Sequence, residues 1–257
     1  MKKQIYILIA LLMSPIIWAQ ETIHIYAASS MTNAVNDLID LYQPQHEANV
    51  VAVFGGSASL ARQIEHGAPA DVFLCANEEW VQYLIDNQYV RKDKVTLLAG
   101  NQVVLIQPSS SQLAEFNVAD PTQWQQRLIQ ARLAVGNTDS VPIGMYSKEV
   151  LTNLGAWDTV RPKLAQTNNV RLALALVERG EAPLGMVYQT DAMSSDKVSI
   201  VTVFDTTLHS TIHYPLAQLN DKPSSLSFVE FLSSPVAKSV LAKYGFRTDM
   251  KNETFAQ

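Results

Sequence analysis

A single cysteine in 257 residues rules out a disulfide within the chain. That residue, Cys75, lies in the apolar run Val72-Phe73-Leu74-Cys75-Ala76, where burial rather than reactivity is expected. Cations are scarce as well, with 19 Lys and Arg against 24 Asp and Glu. Such a balance disfavours nucleic acid and anionic membranes as partners. Internal repeats, low-complexity tracts and long charged runs are missing, so composition marks no linker. Past the N-terminus, no segment approaches the roughly 20 apolar residues of a spanning helix. The one strongly apolar run, Ile5 to Trp18 behind Lys2-Lys3, has the form of a secretory signal, with cleavage expected after Ala19. Removing Lys2 and Lys3 with it takes the formal charge from −5 to −7. No cysteine stands at the signal end, which points to a free protein in a periplasm-like space rather than a lipid-tethered one. An anionic ligand of so acidic a chain would have to be held by local dipoles.

What is present is an alternation of strand and helix signals. Ile23 to Ala27 alternates apolar and polar residues, and Met31, Val35, Leu38 and Tyr42 follow at helical spacing. Asn49 to Phe54 reads as a second strand, Ser57 or Ser59 to His66 as a helix stopped by Gly67, and Asp71 to Ala76 as a third strand. Asn77 opens a helix with Glu78-Glu79 in its first turn. Val95 to Gln107 is extended with an interruption at Gly100, Asp120-Pro121 starts a helix, and Leu133 to Gly136 is a short buried strand. Helices from Ile143 or Gly144 to about Leu154, and from Val170 to Arg179 behind Asn168-Asn169, precede a strand from Pro183 to Tyr188. Val198 to Phe204 and Ile212 to Leu219 are extended, and Ser234-Pro235 begins a last helix that stops at Gly245. This alternation predicts an α/β fold of parallel sheets with helices on both faces. The count of units, with a return segment after about Phe204, predicts two lobes, residues 20–98 plus 205–257 and residues 99–204, joined by extended crossovers. Ligands of such sheets bind beyond the carboxyl ends of the strands, which places a site between the lobes.

Two of those strand ends run into helices through small hydroxyl and glycine residues, as Ala27-Ala28-Ser29-Ser30-Met31-Thr32 and Phe54-Gly55-Gly56-Ser57-Ala58-Ser59. Free amides at a helix start carry partial positive charge, and a serine beside them adds a donor without formal charge. Ser30 and Ser57 are therefore candidate anion ligands, the plain alternative being that each caps its own helix. Pro142-Ile143-Gly144 and Asn169-Val170-Arg171 leave first-turn amides free in the same way, and Tyr188 ends an apolar strand where a phenol would meet the cleft. An enzyme reading also exists. Gly55-Gly56-Ser57-Ala58-Ser59 approaches the nucleophile elbow G-x-S-x-G, with Asp205 and His209 or His213 downstream in the hydrolase order. Its last glycine is missing, and the downstream residues crowd into one short stretch. His209 and His213 stand four apart on no expected helix, which argues against zinc.

Taken together, these segments resemble the periplasmic molybdate-binding proteins of ABC importers. The likeness runs through nearly the whole mature chain. It is carried by the first junction with Asn33, Leu60-Ala61-Arg62-Gln63-Ile64-Glu65, Gly67-Ala68-Pro69-Ala70-Asp71, Leu133-Ala134-Val135-Gly136, Gly155-Ala156-Trp157-Asp158, Ala175-Leu176-Val177-Glu178-Arg179, Ala182-Pro183-Leu184-Gly185-Met186-Val187-Tyr188 and Lys243-Tyr244-Gly245-Phe246. The resemblance implies a class II periplasmic binding-protein fold of two doubly wound lobes, a monomer that hands its ligand to a membrane permease, and no enzyme activity or cofactor. It implies molybdate or tungstate as the ligand, bound as the oxyanion with no protein atom on the metal. The family's two serines fall on Ser30 and Ser57, its main-chain donors on Ile143 and Val170, and its tyrosine on Tyr188. Ile143 departs from the small alanine familiar there, which bears on selectivity. About seven donors at roughly 1.5 to 3 kcal/mol each suffice for micromolar binding after dehydration and closure. Donors alone also prefer molybdate, tungstate or sulfate to phosphate, whose proton needs an acceptor. Asp139, in the loop before Pro142, is such an acceptor only in principle, since a turn role suits it. The alternatives are sulfate or thiosulfate, ferric ion, for which a lone Tyr188 is a poor ligand set, and ester hydrolysis at Ser57.

Overall fold

The first strand, β1 (Thr22–Ala28), sends alternate side chains to opposite faces. Ile23, Ile25 and Ala27 join Val35, Leu38 and Tyr42 of helix Thr32–His46, whereas Tyr26 joins Leu60 and Ile64 of helix Ser57–Glu65 on the other side. A strand buried on both faces is what a sheet between helix layers requires. The computed structural model describes residues 21–46, 48–111, 117–250 and 253–255. The expected signal segment 1–19 lies outside them.

The remaining described strands are β2 (Asn49–Gly55), β3 (Val72–Leu74), β4 (Val95–Gly100), β5 (Val103–Pro108), β6 (Leu133–Gly136), β7 (Leu164–Thr167), β8 (Leu184–Tyr188), β9 (Val198–Val203) and β10 (His213–Gln218). They form two five-stranded sheets, ordered β2-β1-β3-β10-β4 and β7-β6-β8-β5-β9. Each sheet anchors one of two α/β lobes. The chain passes from β4 to β5 through residues 101–102 and returns from β9 to β10 through residues 204–212.

The sheets are mixed, which corrects the expectation of purely parallel ones. β10 runs antiparallel to both β3 and β4, and β5 antiparallel to both β8 and β9. Each is the first strand the chain enters after crossing from the other sheet. Neither is reached through a helical crossover within its own sheet, so the constraint that keeps such strands parallel does not act on it. Among the elements not expected from the sequence are the edge strand β7 and the helices Trp157–Val160, Gln189–Met193 and Pro223–Leu232. Part of the tail beyond Phe246 is packed. Arg247 bridges to Gly100, Glu253 bonds His213, and Phe255 is buried beside the helix Ser57–Glu65 cluster.

The N-terminal end of β1 is tied to the far end of β10 by Asp71. Its buried carboxylate accepts from the His24 amide at 2.7 Å, the Asn220 side chain at 2.7 Å and the Lys222 ammonium at 2.9 Å. Burial pushes this acid upward, but those donors outweigh it and hold it below the ordinary aspartate value of 3.8. A lowered folded value means the stabilisation is complete at neutral pH and is lost as pH falls through the folded value. Asp71→Asn is expected to cost about 1–3 kcal/mol at neutral pH. Urea denaturation should show that cost shrinking as the solution is acidified below about pH 4.

Candidate functional site

β1 and β2 are parallel neighbours with Ala28 opposite Gly55, so both chains leave the first sheet side by side. From β1 the chain enters a short turn at Ser29–Met31, and from β2 it enters helix Ser57–Glu65 through Gly56. The second lobe presents the starts of helices Pro142–Asn153 and Val170–Glu178, and the end of β8 at Tyr188. Ser30, Ser57, Ile143, Val170 and Tyr188 all line one cavity between the lobes. It leaves about 10 Å³ of free space, about the room of one water molecule. A pocket for an organic ligand runs to about 300 Å³ or more. Among the described residues, no Asp, Glu, Lys, Arg or His lines it.

The serines are not helix caps. Neither helix start has a side-chain cap bond, and both flanking residues are Ala28 or Gly56. The Ser57 oxygen instead accepts the Ala76 amide at 3.1 Å, which leaves its own hydrogen for another partner. The Ser30 hydroxyl meets the Tyr214 hydroxyl at 2.9 Å. The Tyr188 hydroxyl is buried without a hydrogen-bond partner among the described residues. Burial, and next the neighbouring Tyr214, push its phenol well above the ordinary range, so it stays protonated and can donate. Asn169 does cap its helix, its side chain accepting the Leu172 amide at 3.0 Å, which sets Val170 at the first helical position. Pro142 takes the first position of the other helix and Ile143 follows it. Amides of a first turn have no acceptor within the helix.

Two glycines make the enclosure possible. A Cβ on Gly56 would stand 2.2 Å from the Asn168 carbonyl oxygen of the other lobe, so only glycine permits that approach. A Cβ on Gly136 would stand 2.8 Å from a methyl of Ile143, so this glycine makes room for part of the larger side chain. At the rim, the Trp80 indole donates across the lobes to the Ser140 carbonyl at 2.8 Å.

Other residues singled out in the sequence lie elsewhere. Asp205 caps the turn at Thr206–Leu208, His209 bonds the Ser210 carbonyl, and His213 is held between Glu78 and Glu253, so neither histidine serves Ser57. Among the described residues, no three His, Cys, Asp or Glu side chains group as a metal site. Asp139 is exposed and paired with Lys148 at 3.1 Å, outside the cavity lining. Cys75 is buried, and desolvation pushes its thiol up to about 12, which makes it inert. The arginine beside Val170 is matched: Arg171 Nε stands 2.7 Å from Asp191, an acid that burial raises to about 6 against the pull of that arginine. Sequence reasoning missed Tyr214, Asn101 and Trp80, which carry no local motif.

A small cavity lined by neutral donors, between two lobes that the chain links twice, is the arrangement of a two-lobe solute-binding protein. Residues 23–247 match the model of the bacterial extracellular solute-binding protein family. The chain is 41% identical over 226 residues to molybdate-binding protein ModA of Escherichia coli strain K12, spanning 87% of this chain and 88% of that one. It is likewise 41% identical over 231 residues to molybdate-binding protein ModA of Haemophilus influenzae, spanning 89% and 91%. Among solved structures, the periplasmic molybdate-binding protein of Azotobacter vinelandii shares the fold, with a TM-score of 0.73 at 21% identity over 87% of this chain and 98% of that one. The chain therefore belongs to the ModA family of extracellular solute-binding proteins, components of transport rather than enzymes.

Tyr188→Phe removes a buried hydroxyl that has no partner. The ligand-free variant is expected to match or exceed the parent in stability, by up to about 1 kcal/mol. Thermal denaturation without ligand checks this; a clear loss would mean that the hydroxyl has a structural partner.

Proposed function

We propose that this chain captures molybdate, and tungstate with it, in the periplasm and delivers the ion to the permease of an ABC importer. The observation that carries the reading is a small interlobe cavity with no charged side chain, where hydroxyls and first-turn amides converge. The proposed ligands are the hydroxyls of Ser30, Ser57 and Tyr188 and the amides of Ile143 and Val170. Each hydrogen bond to a charged ligand contributes roughly 1.5 to 3 kcal/mol, so five residues supply on the order of 8 to 15 kcal/mol before dehydration and closure are subtracted. The remainder is compatible with about −8 kcal/mol, the free energy of micromolar binding.

The reading extends to the cycle. Export on the signal 1–19 frees a monomer with no cofactor and no nucleic-acid partner. Residues 20–98 with 205–257 and residues 99–204 are the proposed moving units, hinged where the chain crosses between sheets. An ion contacting both lobes stabilises the closed form, and that form is what the permease reads. Donors without acceptors favour an oxyanion that carries no proton, and the cavity's size separates molybdate from sulfate.

Titration calorimetry with molybdate, tungstate, sulfate and phosphate tests this directly. Molybdate and tungstate are expected to bind at micromolar concentration or below, sulfate more weakly and phosphate weakest; the opposite order would overturn the reading. Ser57→Ala and Tyr188→Phe should each weaken molybdate at least about tenfold while the fold persists. Gly56→Ala should abolish tight binding with little change in the melting temperature of the ligand-free protein, because its methyl obstructs only the approach of Asn168.

A further inference from the structure

Behind Ser30 lies a buried chain of hydrogen bonds whose direction can be read from its far end. The Gln102 amide donates to the Asn101 side-chain oxygen at 2.9 Å, which fixes the orientation of that carboxamide. The Asn101 nitrogen therefore faces the other way, donating to Thr190 at 2.9 Å and to the Tyr214 hydroxyl at 3.2 Å. Either hydroxyl of the Tyr214–Ser30 pair, 2.9 Å apart, can donate; with Tyr214 already receiving from Asn101, the arrangement in which it passes its own hydrogen to Ser30 uses it as both acceptor and donor. In that arrangement Ser30 receives, and its own hydrogen is freed for the cavity that it lines. Ser30, Asn101, Thr190 and Tyr214 are all buried, so no solvent competes for these donors.

We infer that Asn101 and Tyr214 are positioning residues that hold Ser30 as a donor and so set the preference for an oxyanion without a proton. This rests on the proposed oxyanion function. A hydrogenphosphate that turns its P–OH to Ser30 leaves the serine hydrogen, buried, without a partner, and a Ser30 held as donor thus removes one place where that P–OH could be received. An unprotonated oxyanion takes that hydrogen directly. The relay starts at residues 101–102, where the chain crosses between the lobes, and reaches Thr190 in the second lobe. The polarity of a first-lobe ligand is therefore set from the hinge.

Tyr214→Phe removes one oxygen and keeps the ring that packs against Tyr188 and Phe246. Its molybdate dissociation constant should rise about tenfold, and the ratio of hydrogenphosphate to molybdate dissociation constants should narrow. In a Ser30→Ala background, the same change should cost nothing further, because the relay acts only through that serine. Asn101→Asp offers a carboxylate that accepts and cannot donate. Tyr214 should then donate to it, Ser30 should donate to Tyr214, and the ratio should narrow again. Measured at mildly alkaline pH, where both ions are dianions, the added charge repels them alike and cancels from the ratio. Circular dichroism establishes that each variant is folded; should Tyr214→Phe fail to fold, Asn101→Asp decides. An unchanged ratio, or a Tyr214→Phe effect equal with and without Ser30, would overturn the inference. Failure of the unaltered chain to bind molybdate would instead overturn the functional reading on which it rests.

Discussion

The interior of the cleft works because its polar groups are left unsatisfied by the protein itself. Buried amides and hydroxyls ordinarily find partners, and leaving one unpaired carries a free-energy penalty. Among the described residues the Tyr188 hydroxyl has none, and the Ser57 oxygen accepts the Ala76 amide. The first-turn amides of two helices share the condition. A small anion relieves these deficits together, and it can do so only where residues of both lobes stand close. On the proposed reading, recognition and closure are one event rather than two.

Neutral lining has a second effect. A lysine or arginine in the cavity would attract anions of many shapes and would itself require a counter-charge. Arg171, next in sequence to Val170, shows how this is avoided, because its guanidinium is turned to the buried Asp191. The field at the site is then that of oriented dipoles, short in range and directional. Such a field discriminates by where the ligand's oxygens lie and by whether they carry hydrogen.

Much of this was legible in the sequence, and the limits follow from range. Helix starts announce themselves locally, so the junctions at Ser30, Ser57, Ile143 and Val170 stood out before any fold was known, and the structure brings them to one cavity. Strand direction does not announce itself, because a buried strand reads alike whichever way its neighbour runs. That is why the alternation read as parallel sheets and β5 and β10 were not set apart from the other strands. The serine-rich start of Pro223–Leu232 reads as a loop until Phe228 and Leu232 are seen packed in the core. Tyr214 lies 184 residues from Ser30 in the chain, and nothing near it distinguishes it from an ordinary core aromatic. His213 drew attention as a catalytic or metal-binding candidate, yet it ties Glu78 to the tail at Glu253.

The place of β10 between β3 and β4 governs the order in which the molecule can be completed. All strands of the second sheet come from one uninterrupted stretch, Val103 to Val203, and can assemble as soon as that stretch is available. The first sheet cannot, since β4 has no neighbour until residues near 213 arrive to bridge it to β3. During vectorial emergence of the chain, the lobe begun first is thus the lobe finished last, with its central slot between β3 and β4 left open until β10 arrives.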